Sequence, residues 1–295
     1  MANLEVSNTL IIVIGLTVLI HLVHTLIYSV RLAGVRTGRL ATAYSLFNLI
    51  FLIASTANTV QAPLLSSLVE KAINRGLAAV PPRAPAEVLL ASPVYREELA
   101  VLDHNIRLVI LAATLGTILG GLLIPAFVRI FSRGILLFEE VGSVPRLILF
   151  SLSPRRLYRT IKTVRPAAPE TLRRAIRQRT GIPKGFLLLN VLITGIYTTG
   201  VLSALYAGAL FPYYRATATL LSPIVNGIAT LLAATVVDPT AAMLTDQALR
   251  GKRDERDIRQ MVTHLAVTRF LGTLLAQVLF LPAAQIVRYV AAVIV

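Results

Sequence analysis

Three arginines, Arg31, Arg36 and Arg39, crowd into one short connection, YSVRLAGVRTGRLATAY (28–44), between two apolar stretches. A guanidinium keeps its charge in almost any surroundings and presents a planar fork of donors that matches phosphate oxygens, so the cluster suits capture of an anionic headgroup. Arginines in a turn between membrane spans also serve simply as topology anchors. Both readings stay open at the level of the sequence. Upstream, His21 and His24 stand i, i+3, but no third ligand at a recognisable spacing joins them, and no metal is expected. His24 is a candidate proton relay, because imidazole titrates near neutral pH. Asp238, just before Pro239, is the only carboxylate bordering its apolar run; it suits a coupling cation or an ion pair with an arginine of loop 5. Asn48, Asn58 and Gln61 place uncharged donors and acceptors inside another apolar run. The sequence carries no HExxH, no GxSxG and no P-loop, which favours transport over catalysis and implies no cofactor.

The elements that position these residues are membrane spans. Of 295 residues, 56% are hydrophobic and 15% charged, with a mean hydropathy of +0.74, a balance foreign to soluble domains. An all-α polytopic membrane protein follows. Six runs, near 9–30, 40–65, 107–130, 185–210, 216–237 and 270–295, match the roughly 20 residues that cross about 30 Å of hydrocarbon. An external loop is expected over 66–106 and a basic cytoplasmic loop over 131–184, the latter forming amphipathic helices on the membrane surface. The first run lacks the basic flank and cleavage site of a signal peptide and should stay attached. Lys and Arg concentrate in alternate connections, which places loops 1, 3 and 5 in the cytoplasm and both termini outside. The formal charge of +15 is then a property of one membrane face, answered by anionic lipids, and no nucleic acid is implied. Cysteine is absent, so no disulfide forms.

Two patterns bear on mechanism. LGT occurs at 115–117 and again at 271–273, in two spans each entered through an arginine (Arg107, Arg269). Spans 2 and 5 match at an offset of 176, pairing Arg39 with Arg215, Ala57 with Ala233 and Pro63 with Pro239. Together they suggest a 3+3 inverted repeat, the plan of transporters in which one half rocks against the other. At 100° per residue, Thr17, His21, His24, Thr25 and Tyr28 share one arc of span 1, as do Tyr44, Asn48, Ser55, Asn58 and Thr59 in span 2. The two stripes are expected to face each other across a hydrophilic cleft with the arginines at its mouth.

The segments HTLIYSVRLAGVRTGRLATAYSLFNLI (24–50) and STANTVQAPLL (55–65), joined by VVDPTAAMLTDQALRGKRDERDIRQMV (236–262), resemble the Amj family, the alternate lipid II flippases that substitute for MurJ in bacteria. The resemblance implies a six-span protein of the bacterial inner membrane that moves lipid II, an undecaprenyl-pyrophosphate-linked muropeptide, to the outer leaflet. On that footing Arg31, Arg36 and Arg39 are expected to capture the pyrophosphate, with Asn48, Asn58 and Gln61 bonding the sugars. Asp238 is the first candidate for ion coupling and His24 the second, and a homodimer is expected because six helices enclose little space. Two other classes stay open: a secondary transporter of another anionic lipid or solute, and a non-transporting membrane scaffold for envelope synthesis.

Overall fold

The computed structural model describes residues 7–143, 145, 146, 170 and 181–295. Among them every regular element is helical. The helices are α1 (Asn8–Thr37), α2 (Leu40–Ala78), α3 (Ala86–Ala91), α4 (Pro93–Val141), α5 (Lys184–Leu210), α6 (Arg215–Leu220), α7 (Ser222–Leu232), α8 (Asp238–Leu249) and α9 (Glu255–Ile294). A 3-10 turn (Pro212–Tyr214) precedes α6, and a π-turn (Ala233–Val237) joins α7 to α8. Among the described residues six segments are long and apolar enough to cross a membrane: α1, α2, α4, α5, the composite Pro212–Leu249, and α9. The surface helices expected in the basic loop 131–184 fall, for 147–169 and 171–180, outside the described residues.

Sharp signals bound α1. The Ser7 hydroxyl accepts from the Leu10 amide at 3.2 Å, and Gly38 closes the helix at φ 67°, a left-handed conformation that glycine adopts freely. Elsewhere the helices outrun the apolar runs that identify them. The 49 residues of α4 rise about 74 Å at ~1.5 Å per residue, and its ends take in both 93–106 and 131–141. The α9 helix begins at Glu255 rather than near 270. Hydropathy marks the part that crosses lipid. Beyond it, backbone hydrogen bonds and charged i, i+4 pairs such as Arg259–Glu255 (2.9 Å) and Arg107–Asp103 (2.8 Å) continue the helix.

Two close seams organise the bundle. On α4, a side chain at Gly116 would strike the Val18 carbonyl and the His21 Cβ of α1, and one at Gly120 would come within 2.7 Å of the Thr25 Cβ. On α9, a side chain at Gly272 would meet the Val191 carbonyl at 2.7 Å and the Thr194 Cβ at 2.5 Å on α5. Glycine allows the backbones this approach, the usual device of membrane helices. Each LGT glycine thus sits on residues i and i+3 of its partner, so the repeated tripeptide makes repeated packing. The two arginines do not share that register. Arg107 lies eight residues before its LGT and bonds the Gln277 carbonyl at 3.1 Å, whereas Arg269 lies two residues before the other.

The long-range pairs sort the bundle into two ends. Tyr95 donates to the Ala209 carbonyl (2.6 Å) and Arg215 pairs with Glu70 (2.9 Å) at one end, while the arginine turn closes the other. Span by span the chain alternates between them, as six crossings require.

Candidate functional site

The arginine turn is stitched to three other helices. Arg31 pairs with Asp238 at the start of α8 (3.8 Å), Arg36 with Glu255 at the start of α9 (2.8 Å), and Arg39 with Glu139 near the end of α4. The three carboxylates share one function at this rim: each holds an arginine that the sequence leaves without an evident counter-charge. The Arg31–Asp238 pair differs from the others. Its guanidinium is largely buried and lies 5.8 Å from the Tyr44 ring centroid, while the Asp238 side chain is 68% exposed. The contact is long and open on one side, a geometry in which a competing anion can reach the guanidinium.

Asp238 owes its position to the break in its span. Pro239 offers no N–H to the carbonyl of Thr235, and the backbone there winds as a π-turn before α8 begins at Asp238. Discontinuous spans with ionisable groups at the break recur in transporters.

Three faces divide the middle of α2. Ala43, Phe47, Ala54, Ala57 and Gln61 are buried against the bundle. Leu49, Leu52, Ile53 and Val60 form an exposed apolar face. Roughly 120° further round, Asn48, Ser55, Asn58 and Thr59 form an exposed polar face. The polar stripes of α1 and α2 therefore do not face each other, contrary to the sequence expectation. Thr25 is buried under Gly120 of α4, and Tyr28 donates to Asn190 Oδ1 of α5 at 3.3 Å. The physical reason lies in the threonines. Thr17, Thr25 and Thr59 each donate to the carbonyl four residues back, so their hydroxyls need no polar neighbour.

Gln61 also turns inward. Its amide donates to the Val13 carbonyl at 3.3 Å and to the Thr17 hydroxyl, fastening α2 to α1. His24 stacks on Phe51 of α2 with ring centroids 5.3 Å apart, placing it beside the polar face, and His21 lies 6.4 Å from His24. Among the described residues no group of three His, Cys, Asp or Glu is arranged to hold a metal ion.

The sequence reading missed two interior groups. Asn190 of α5 donates to the Leu265 carbonyl (3.2 Å) and the Thr268 hydroxyl (2.8 Å), so with Tyr28 it joins α1, α5 and α9. Arg269, taken as the border of the last span, lies well inside α9. Its signal is the apolar spacing Ile258, Met261, Val262, Leu265, which is helical and starts eleven residues before it.

Crossing helices, two glycine seams, a broken span and an ion-paired rim beside a polar helix face define a polytopic α-helical membrane protein of transporter type. The chain belongs to the Amj family. The family model, described as alternate to MurJ, matches residues 16–291. The protein named lipid II flippase Amj from Bacillus subtilis (strain 168) is 34% identical over 285 residues, covering 96% of this chain and 97% of that protein. No solved structure matches the chain.

Proposed function

We propose that this protein is a lipid II flippase of the bacterial cytoplasmic membrane, with the arginine turn on the cytoplasmic side and both termini outside. Family membership supports the substrate. The observation that carries the mechanism is the open Arg31–Asp238 pair beside the two exposed faces of α2. The pyrophosphate displaces Asp238 from Arg31, while Arg36 and Arg39 raise the local positive potential. Asn48 and Asn58 offer hydrogen bonds to the sugars along the polar face, with Gln61 holding that face in position. The polyprenyl tail stays in lipid against Leu49, Leu52, Ile53 and Val60. One helix thus separates headgroup from tail, which is the physical problem of moving such a lipid.

Asp238, freed from Arg31 when the anion arrives, is the coupling carboxylate of this scheme, and His24 stands deeper on the same route. The matched seams, Gly116 on Val18 and His21 and Gly272 on Val191 and Thr194, support two inverted halves moving against each other. A homodimer completes the proposal, and mass measurement in native nanodiscs tests it.

The decisive experiment is lipid II translocation by the purified protein in proteoliposomes, read as outer-leaflet accessibility. Arg31→Ala should lower the rate at least about tenfold, the loss expected from one charge-assisted contact of ~1.5–3 kcal/mol. Undiminished transport by a folded Arg31→Ala protein would refute the entry site. No transport by the unmodified protein under an imposed gradient would refute the flippase reading.

A further inference from the structure

We infer that Arg269, with His21 and His24, forms a second anion site deep in the bilayer, which receives the diphosphate of a polyprenyl lipid after it leaves the rim. The inference rests on the flippase reading for its lipid and on the following geometry for its place.

Two helices measure the depth independently. The Arg36–Glu255 pair ties α1 and α9 together at the rim. From Glu255, Arg269 lies fourteen residues along α9, about 21 Å at ~1.5 Å per residue. From Arg36, His21 lies fifteen residues along α1, about 22 Å on the same scale. The side-to-side contacts agree, because Ala266 of α9 lies against Gly121 of α4, one residue beyond the Gly120 that packs on Leu22 and Thr25. With a hydrocarbon layer of about 30 Å starting near the ion-paired rim, the cluster falls deep inside it, roughly two thirds of the way across.

A cation inside the bundle is normally paired. Arg107, beyond the lipid-crossing part of α4, shows how this fold satisfies a half-buried arginine: Asp103 at 2.8 Å, the Gln277 carbonyl at 3.1 Å, and the Phe280 ring centroid 5.7 Å from its guanidinium carbon. Arg269 has no ion pair and no hydrogen bond among the described residues, and its Nε is buried without a partner. The Nδ1 of His21 is buried and unpartnered as well. Arg269 acts electrostatically on both imidazoles, so the three groups share one locality. Burying unpaired polar and charged groups is costly. Two buried atoms without partners in one locality, one of them on a planar donor fork, suit a multi-oxygen anion. Phe51 gives the route, since it carries His24 on one side and belongs to the exposed part of α2 next to Asn48 and Ser55.

The test uses the full chain in nanodiscs with undecaprenyl pyrophosphate as the probe, alongside lipid II translocation in proteoliposomes. Arg269→Gln should weaken probe binding at least about tenfold and stop translocation, and its thermal unfolding temperature should equal or exceed that of the unmodified protein. A partly buried charge without an ion pair contributes little to folding, so its removal does not destabilise. Arg269→Lys keeps the charge but loses the fork and should bind with an intermediate deficit. Wild-type binding and transport by the Gln variant, or a drop in its unfolding temperature matched by Lys rescue of stability alone, would overturn the site while leaving the flippase reading intact. Probe binding that depends on Arg269 in a protein that fails to move lipid II would do the reverse. Competition by inorganic pyrophosphate at equal concentration would make the ligand a soluble anion and overturn its assignment to a lipid headgroup.

Discussion

Replacing Gly272 by alanine places a methyl group 2.5 Å from the Thr194 Cβ, 2.7 Å from the Val191 carbonyl and 2.9 Å from the Thr194 Cγ2. Carbon contacts are comfortable only from about 3.5 Å, so α5 and α9 must part by roughly 1 Å, and a gap of that size forfeits up to about half of the dispersion energy along the seam. Neither obstacle can swing aside, since one is backbone and the other the branch point of a threonine. Overpacking of this kind costs about 1–3 kcal/mol. Alanine also gains about 1 kcal/mol over glycine as a helix former, which would mask the effect. Gly134 removes that ambiguity, because a side chain there meets nothing within 4 Å. The difference between Gly272→Ala and Gly134→Ala isolates the seam, and it should be about 1–3 kcal/mol. Equilibrium unfolding in detergent micelles, followed by circular dichroism, measures it. Equal stability of the two variants would refute the close approach of α5 and α9, and with it the packing match between the halves.

Further expectations follow from individual contacts. Asp238→Asn should change stability by less than about 1 kcal/mol, because its ion pair is long and its carboxylate exposed; its transport should lose dependence on an imposed ion gradient, and retention of that dependence would remove Asp238 from the coupling role. Gln61→Leu should cost about 1 kcal/mol in unfolding experiments and leave lipid II transport near normal, whereas a transport defect at unchanged stability would restore Gln61 as a headgroup ligand. Tyr95→Phe strands the buried Ala209 carbonyl and should destabilise by about 1–2 kcal/mol at the end remote from the arginines, measurable as a shifted denaturant midpoint.

The six crossings were legible because lipid imposes one unmistakable requirement, long apolar helices. The arginine turn was legible as a cluster, but its partners were not, since Glu139 and Glu255 lie 100 and 219 residues away from the arginines they hold. Arg269 was misplaced because the charged stretch before it depresses hydropathy without interrupting the helix. The polar stripe of α1 was overread because a threonine hydroxyl and its own backbone can satisfy each other inside a helix. The LGT glycines were legible as a repeat, and they alone pointed to a contact that the tertiary structure makes.

The π-turn at Ala233–Val237 is also a phase shift. Winding one surplus residue into the span turns everything beyond it by about 100° relative to an uninterrupted α-helix. Hydropathy and composition are blind to such an offset, which decides only which way the following residues look. Deleting a single alanine from this turn would leave an equally apolar span whose Asp238 no longer addresses Arg31. The chemistry of the rim thus depends on a count of residues as much as on their kinds.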